Sequence, residues 1–232
     1  MLSKINFIAL VAARSGSKGI KNKNTLKFKN TTLLGNSILQ AKRIKQIQRI
    51  FVSTDNKKIA KKSLKYGAEV PFLRPKNLAK DNSPEILSIR HAINFFKIKL
   101  KLKPDYIVSL PTTSPLRSIQ DIKNCILKAK KNKLDVVFSI TPSKRNPYFN
   151  MVEVKKNKLN IICKSKKKYF TRQSAPKCFD LTTVCYVFRA DYILKNSNLF
   201  SGKVGFVIIP NERAVDIDDS IDYNFVKFLA NR

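Results

Sequence analysis

The stretch that decides the fold is "FIALVAARSGSKGIKNKN", residues 7–24. Its first seven residues, 7–13, form a continuous apolar run, which is typical of a strand covered on both faces in a parallel sheet. The residues that follow combine glycine, serine, arginine and lysine, so a cationic loop begins where the strand ends. Ligands of open parallel sheets bind beside the carboxyl ends of the strands. The loop therefore predicts a site for an anion.

Apolar runs alternate with amphipathic stretches of helical period along most of the remaining chain. The predicted elements are a strand at 7–13, a helix at 37–47, a strand at 49–55, helices at 57–67 and 83–98, a strand at 106–111, a helix at 119–132 and a strand at 135–141. This alternation indicates an α/β fold with a mostly parallel sheet between helices. Ser118 and Asp121 predict a capping box at the start of the helix at 119–132.

The pattern changes after residue 141. Residues 142–180 contain alternating apolar and polar positions around the turn-like "KKNK" at 155–158, which predicts a β-hairpin. We interpret 142–180 as an arm inserted into a single domain that spans 1–232. Core-like strands at 182–194 and 203–210 and a helix at 220–232 complete the prediction.

Composition excludes several classes of protein. The 232 residues are 43% hydrophobic, which supports a globular core rather than general disorder. No apolar run is long enough to cross a bilayer, and the N-terminus is better interpreted as a strand than as a signal peptide, so we expect a cytoplasmic protein without a membrane partner. The net charge of +32 attracts polyanions, but it is spread along the chain without a nucleic-acid-binding module, so we expect no specific nucleic-acid partner. The four cysteines form no CxxC pair, and we expect small buried side chains in a reducing compartment.

The loop after the first strand lacks both standard phosphate motifs, the Walker pattern and the GxGxxG fingerprint. Gly16 and Gly19 can expose backbone N–H groups to phosphate oxygens. Arg14 offers a planar fork, and Lys18 and Lys23 add point charges, so the loop could neutralise a triphosphate. The alternative is an ordinary basic surface loop.

A second candidate site lies in "VDIDD", residues 215–219. On a strand, Asp216 and Asp218 would point to the same face, where two carboxylates repel unless a cation lies between them. Oxygen ligands beside a triphosphate suit Mg²⁺, so we predict that Asp216 and Asp218 bind this metal. The alternative is that Asp218 or Asp219 only caps the final helix.

Five segments in order resemble the acylneuraminate cytidylyltransferase family, whose members activate sialic-acid-type sugars. The segments are "ARSGSKGIKNKN" (13–24), "IFVSTDNKKIAKKSLKYGAEVPFLRP" (50–75), "TSPLR" (113–117), "RQ" (172–173) and "VDIDDSID" (215–222). The resemblance covers nearly the whole chain. It implies a Rossmann-like nucleotidyltransferase fold and a homodimer in which the arm packs on the second subunit.

The reaction implied by this resemblance joins CMP from CTP to a nine-carbon keto-acid sugar and releases pyrophosphate, with Mg²⁺ as cofactor. The implied nucleotide-binding residues are Arg14, Ser17, Lys18, Lys23, Asn24, Arg74 and Ser83. The implied catalytic residues are Arg14, Lys23 and Asp216. The implied sugar-binding residues are Arg172, Gln173 and Tyr186.

Three departures from the family pattern fall where the sugar is recognised. Pro111 replaces a glutamine found in many members, and "DLTTVCYVF" (180–188) replaces an Asn-Gly-Ala stretch. The segment "KRNPYFN" (144–150) lacks the basic residue that some sialic acid enzymes place after the proline. CTP is therefore the firmer expectation, and the sugar could be of the sialic, legionaminic or pseudaminic type. One alternative is another sugar nucleotidyltransferase, such as one for 3-deoxy-manno-octulosonate. An alternative from a different class is a basic nucleic-acid-binding protein with a decayed site.

Overall fold

The computed structural model describes residues 5–17 and 19–232. The strands are β1 (Phe7–Ala12), β2 (Lys27–Phe28), β3 (Thr31–Thr32), β4 (Ile47–Ser53), β5 (Tyr106–Ser109), β6 (Val136–Pro142), β7 (Val152–Lys155), β8 (Lys158–Ile161), β9 (Phe179–Arg189) and β10 (Val204–Ile208). The helices are α1 (Leu33–Lys42), α2 (Lys57–Lys65), α3 (Glu85–Lys99), α4 (Ile119–Asn132), α5 (Ala190–Lys195) and α6 (Ser220–Ala230).

Six strands form the central sheet, in the order β10-β6-β9-β5-β1-β4. β1 runs parallel to both β4 and β5, and β10 runs parallel to β6. β9 runs antiparallel to its neighbours β5 and β6. The predicted α/β fold with a mostly parallel sheet is confirmed, and the reversed β9 is its one antiparallel member.

Helices cover both faces of this sheet, and β1 shows why its apolar run is continuous. Ala9 and Val11 pack into a cluster that includes side chains of α1 and α4, whereas Ile8 and Leu10 pack into a cluster that includes α3. Since successive side chains of a strand point to opposite faces, a strand buried on both faces needs apolar residues at every position. The predicted arrangement of a sheet between helices follows from this burial.

Two predicted boundaries differ from the structure. The first helix begins at Leu33, where the Thr32 hydroxyl accepts a hydrogen bond from the Gly35 N–H, and it ends at Lys42 rather than at residue 47. The predicted strand at 182–194 is divided between the end of β9 and helix α5. The capping box of Ser118 and Asp121 is confirmed.

The predicted hairpin is formed by β7 and β8. Its two turn residues, Lys156 and Asn157, have φ values of 49° and 59°, as the tightest hairpin turns require. The segment leaves the sheet at Pro142 and rejoins it at Phe179, and these two residues pair across the β6–β9 ladder. The arm is therefore attached to the sheet at one point, while the single domain over 1–232 stays a prediction.

The cysteine prediction is correct for only part of the set. Cys125 and Cys185 are buried, but Cys163 and Cys178 are partly exposed, and all four are free thiols. Within the described part of the chain, no helix is both long and apolar enough to cross a membrane.

The segment "VDIDD" corrects the sequence analysis, because residues 215–219 are fully described and form no strand. Asp219 caps α6 by accepting hydrogen bonds from the Ile221 and Asp222 N–H groups. The Asp222 carboxylate accepts in turn from the N–H groups of Asp218 and Asp219. The N–H groups of Asp218 and Asp219, which a strand would use for pairing, are therefore taken up by the Asp222 carboxylate. The alternative of a helix cap is correct for Asp219.

The loop after β1 closes against this C-terminal segment. A Cβ atom added at Gly19 would lie 1.9 Å from the carbonyl oxygen of Asp218, a separation that no real side chain can adopt. A Cβ added at Gly16 would have no neighbour within 4 Å. The two glycines of the loop therefore have different roles, and only Gly19 is required by close packing.

We expect Gly19→Ala to lower the free energy of unfolding by about 1–3 kcal/mol, because the new methyl group must push two backbone segments apart. Gly16→Ala is the matched control, and we expect a change within about 1 kcal/mol, of either sign. Denaturant unfolding of both variants measures the difference. Equal stabilities would show that the loop does not close on residue 218.

Candidate active site

The carboxyl ends of the parallel strands open into a cavity of about 540 Å³. Its lining comes from the loop after β1, from the loop after β5, from the start of α3 and from the C-terminal segment. Five of the predicted site residues line it, namely Arg14, Ser17, Lys23, Asn24 and Asp218. The structure thus brings together the cationic loop and one of the predicted carboxylates, which are about 200 positions apart in the sequence.

Two hydrogen-bond anchors hold the loop after β1 in place. The Asp55 carboxylate accepts from the Ser15 N–H at 2.8 Å and from the Ser15 hydroxyl at 2.5 Å. Burial alone would raise the pKa of Asp55, but these hydrogen bonds and the nearby Arg74 guanidinium lower it below its usual value. Asp55 therefore stays charged at neutral pH and anchors the start of the loop.

Asn24 forms the second anchor and is almost fully buried. Its amide nitrogen donates to the Arg14 carbonyl at 2.7 Å, and its amide oxygen accepts from the Thr112 hydroxyl at 2.5 Å. Asn24 thus joins the loop after β1 to the loop after β5. These contacts give it a clear role in positioning the wall of the first cavity.

Two of the predicted cations of the loop, Arg14 and Lys23, are held by polar partners. The Arg14 guanidinium lies 2.6 Å from the Asp81 carboxylate. The Lys23 ammonium donates to the Ile217 carbonyl at 2.6 Å and lies 3.5 Å from the Asp218 carboxylate. Both cations are therefore oriented toward the first cavity before any anion binds. Lys18, the third predicted cation, lies outside the described residues.

A second cavity, of about 240 Å³, adjoins the first and shares Ala12, Arg14, Asp81 and Glu85 with it. It contains the predicted residues Arg74 and Ser83. The Arg74 guanidinium is buried and donates to the Ser53 hydroxyl at 2.9 Å and to the Ser53 carbonyl at 2.6 Å. Burial lowers the pKa of Arg74, and the nearby carboxylates of Asp55 and Glu85 counteract that effect.

Ser83 adds an unused polar group to the second cavity. Its Oγ is buried, and it has no hydrogen-bond partner among the described residues. A buried hydroxyl without a partner is costly in a folded protein unless a ligand or water satisfies it. Ser83 is therefore available to a bound molecule, as the sequence analysis expected for a nucleotide contact.

Asp216 and Asp218 were predicted to point to the same face of a strand. In the structure they line different cavities. Asp216 lines a third cavity, of about 560 Å³, which also includes Thr141, Ser143 and Asp180 and the basic residues Lys144 and Arg145. Without a strand over 215–219, the two aspartates do not share one face. Asp216 Oδ1 is buried and has no hydrogen-bond partner among the described residues. In residues 5–17 and 19–232, no group of three or more His, Cys, Asp or Glu side chains could hold a metal ion.

Arg172 and Gln173 line a fourth cavity, of about 590 Å³, which shares Pro142 and Ser143 with the third. The Arg172 guanidinium donates to the Ser143 carbonyl at 2.5 Å. The structure thus places these two predicted residues next to the Asp216 side of the C-terminal segment, and not beside Arg14. They stand at the base of the arm.

Tyr186 is a predicted sugar-binding residue that lines none of these four cavities, as the described residues define them. It lies on β9 opposite Ser109, with its ring 5.6 Å from that of Phe138. Burial raises the pKa of Tyr186, and the negative charges of Glu85 and Asp216 add to the effect. The contact with a sugar that the resemblance implies for Tyr186 stays a prediction.

The sequence analysis missed Glu85, whose carboxylate faces both the first and the second cavity. It accepts a hydrogen bond from the Ser109 hydroxyl at 2.7 Å. Burial raises the pKa of Glu85, while Ser109 and the Arg74 guanidinium act to lower it. Its position directly after Pro84, at the start of α3, was a usable signal, because helix starts at this edge of a sheet face the ligand. Thr112, Lys144 and Arg145 were missed as well, although each follows a predicted strand.

Comparison with known proteins identifies the family of this chain. Residues 8–206 match the family model described as cytidylyltransferase. The chain is 39% identical to post-translational flagellin modification protein B of Campylobacter coli, over 96% of this chain and 94% of that protein. It is 38% identical to CMP-N,N'-diacetyllegionaminic acid synthase of Campylobacter jejuni, over 97% and 94% of the two chains.

The fold also resembles that of solved structures. A CMP:2-keto-3-deoxy-manno-octonic acid synthetase complexed with CTP superposes with a TM-score of 0.73 and 12% identity, over 97% of this chain and 98% of that chain. Because the identity is low, this similarity supports the fold and the Rossmann-like layering. The family match over residues 8–206, together with relatives that align along nearly the whole chain, shows that this protein belongs to the cytidylyltransferase family of nucleotidyltransferase enzymes.

Proposed function

We propose that the protein transfers CMP from CTP to a nine-carbon keto-acid sugar, a nonulosonic acid, with release of pyrophosphate. The observation that carries this proposal is the position of the C-terminal segment between two cavities. Asp218 faces the cavity that contains Arg14 and Lys23, and Asp216 faces the cavity that contains Lys144 and Arg145. A nucleotide and a second substrate could therefore approach each other across one short stretch of backbone.

The nucleotide fits the first and second cavities. Arg14 and Lys23 would neutralise the triphosphate together with Ser17, and Arg74 and Ser83 would bind the base end. Lys18 stays a predicted phosphate ligand that lies outside the described residues. Asn24 would keep the two loops in register through its bonds to Arg14 and Thr112. Positioning and charge neutralisation supply most of the catalysis in phosphoryl transfer.

The sugar acid fits the third and fourth cavities. Lys144, Arg145 and Arg172 offer cations for its carboxylate, and Gln173 offers an amide for its hydroxyl or acyl groups. The relative at 38% identity is named for N,N'-diacetyllegionaminic acid, and one at 27% is named for pseudaminic acid. We propose a legionaminic-type acid as the first substrate to test. These relatives do not favour a nucleic-acid-binding protein.

In the proposed reaction the anomeric hydroxyl of the sugar attacks the α-phosphorus of CTP in line. The new bond joins the sugar oxygen to phosphorus, the bond to the pyrophosphate oxygen breaks, and the hydroxyl proton passes to water. Arg14 and Lys23 would stabilise the negative charge that develops on the departing pyrophosphate. The third cavity could hold a second substrate beside the nucleotide. This favours the transfer of CMP to a sugar over the hydrolysis of CTP by water.

Asp216 and Asp218 line different cavities on the two sides of Ile217, and both offer the oxygen donors that a magnesium ion uses. Asp216 Oδ1 is a buried carboxylate oxygen without a hydrogen-bond partner among the described residues. Asp218, on the other side of Ile217, has an exposed carboxylate. Carboxylate oxygens beside phosphates are the ligands that Mg²⁺ uses in proteins. We propose that Asp216 and Asp218 hold Mg²⁺ when the substrates bind. The ion would supply charge stabilisation at the α-phosphate and at the leaving group.

A panel of substrates tests the function directly. We expect pyrophosphate release with CTP and a legionaminic-type acid, and much slower release with ATP, GTP or UTP, or with the eight-carbon acid 3-deoxy-manno-octulosonate. A colorimetric pyrophosphate assay with each of the four nucleotides and each acid gives the result. A higher rate with ATP or GTP than with CTP would contradict the proposal.

Asp216→Asn tests the metal. We expect turnover to fall by about 100-fold to 1,000-fold, because an amide is a much poorer ligand for Mg²⁺ than a carboxylate, while CTP binding stays largely intact. Asp219→Asn is the matched control, since asparagine caps a helix as well as aspartate does. Rates over a magnesium titration measure both variants. A near-normal rate for Asp216→Asn would contradict the proposal and show that the Asp216 carboxylate has only a structural role.

We also propose a cytoplasmic homodimer that forms through the arm. Val152, Val154, Leu159 and Ile161 occupy one face of the β7–β8 hairpin, where their cross-strand pairs leave large exposed apolar surfaces. An isolated two-stranded hairpin is only marginally stable in water. A second subunit that covers this face would remove the exposed apolar surface.

Val154→Asp tests the homodimer, because it puts a charge on the apolar face of the hairpin. We expect the variant to elute as a monomer or to raise the dimer dissociation constant by at least about tenfold, since a charge must then be desolvated at the interface. Lys158→Asp puts the same side chain on the opposite face and should leave the dimer intact. Size-exclusion chromatography with light scattering measures the mass, and a monomeric unmodified protein would contradict the proposal.

A further inference from the structure

Glu85 lines both nucleotide cavities and forms no salt bridge within 4 Å to a described cation, although the Arg74 guanidinium acts on it at longer range. The other acid that both cavities share, Asp81, pairs with Arg14. Glu85 instead accepts a hydrogen bond from the neutral Ser109 hydroxyl, which occupies Oε1. The second carboxylate oxygen faces the open space of the cavities. Because Glu85 is exposed to the cavities, this oxygen can accept from water or, in place of water, from a hydrogen-bond donor of a bound molecule.

The triphosphate cannot be that donor. A carboxylate beside phosphate oxygens is repulsive, and the cations of the first cavity, Arg14 and Lys23, mark the phosphate end. Among the parts of CTP, only the ribose hydroxyls and the amino group of the base can donate a hydrogen bond to a carboxylate. Glu85 must therefore contact the nucleoside rather than the phosphates.

Arg74 decides between these two donors. It lies in the second cavity with Glu85, and Ser53 fixes its guanidinium through the Nε and Nη2 atoms. A donor and an acceptor that line the same cavity match the edge of cytosine, which presents the acceptors O2 and N3 next to the amino donor at C4. Uracil carries an oxygen acceptor at C4, which would face the carboxylate without a proton between them.

We propose that Glu85 reads the exocyclic amino group of cytosine and thereby sets the preference for CTP over UTP. The inference rests on the proposed function, in which CTP is the nucleotide substrate. Glu85 accepts from the amino group, Arg74 donates to the acceptors beside it, and Ser109 holds the carboxylate in position. Partial desolvation within the cavity walls raises the pKa of Glu85, although the residue keeps access to solvent, and a bound amino group would favour its charged form by adding a donor.

The test compares Glu85→Gln with Glu212→Gln, a matched change at an exposed residue that lines none of the four cavities. Three nucleotides are used: CTP, UTP and the pyrimidin-2-one ribonucleoside triphosphate, which has hydrogen in place of the amino group. For the unmodified enzyme we expect kcat/KM to be about 10-fold to 100-fold higher with CTP than with the other two. In Glu85→Gln the ratio of CTP to UTP should fall by at least about tenfold, because the side-chain amide can donate to the uracil oxygen. Glu212→Gln should keep the ratio.

Further arms keep the outcome decisive. Thermal unfolding of each variant checks that Glu85→Gln is folded, and Glu85→Ala should treat CTP and the pyrimidin-2-one nucleotide alike. An unchanged ratio of CTP to UTP in Glu85→Gln would overturn the inference. So would a loss of discrimination between CTP and dCTP without any change for UTP, because that result would assign Glu85 to the ribose.

Failure of the proposed function can be told apart from failure of the inference. If the unmodified enzyme releases no pyrophosphate from CTP with any acid, the proposed function fails. Calorimetric binding of CTP and UTP without a sugar then still tests Glu85. Preferential binding of CTP that Glu85→Gln abolishes would support the inference, and equal binding of the two nucleotides by the unmodified protein would overturn it.

Discussion

The position of Ile217 is the constraint on which the candidate site depends. Its N–H donates to the Thr113 carbonyl at 2.9 Å, and its carbonyl accepts from the Lys23 ammonium at 2.6 Å. Its side chain packs with Phe28 and Val226 in a small apolar cluster beneath α6. Backbone and side chain together fix one residue between three distant parts of the chain, and Asp216 and Asp218 are held on its two sides. The wall between the proposed nucleotide and sugar cavities is therefore set by packing and hydrogen bonds, before either substrate is present.

The electrostatics of the site differ from those of the surface. The net charge of +32 is spread over many lysines, whose solvent-exposed charges are screened within about 8 Å at physiological salt. In the first cavity, by contrast, each described cation has a carboxylate close to it, Arg14 at Asp81 and Lys23 at Asp218. These acids hold the cations in place at the cost of part of their attraction for a phosphate. The paired arrangement favours an anion that brings several negative charges at once, as a triphosphate does, over a single phosphate group.

The sheet could be predicted from the sequence because a strand that is buried on both faces needs an apolar residue at every position, as in the continuous apolar run at 7–13. The start of α4 could be predicted because Ser118 and Asp121 interact over three residues. The reversed direction of β9 could not, since apolar runs carry no information on direction. Residues 215–219 were misassigned because alternating aspartates fit a strand as well as a cap, and only the tertiary contacts of Asp219 and Asp222 decide between them. Glu85 was missed because its role depends on Arg74, in the irregular segment after α2, and on Ser109, at the end of β5.

The division of the site by Ile217 explains why the nucleotide could be inferred from the sequence more firmly than the sugar. The end of β1 and the loop after it supply about half of the lining of the first nucleotide cavity from one continuous stretch, so its residue types can be interpreted together. The sugar side is assembled from the end of β6, the return of the arm at Arg172 and the C-terminal segment. Each of these contributes one or two polar groups, whose combined shape depends on how the arm is seated on the sheet. If the arm also packs on a second subunit, as proposed, the identity of the sugar is determined by two chains, and no single sequence segment encodes it.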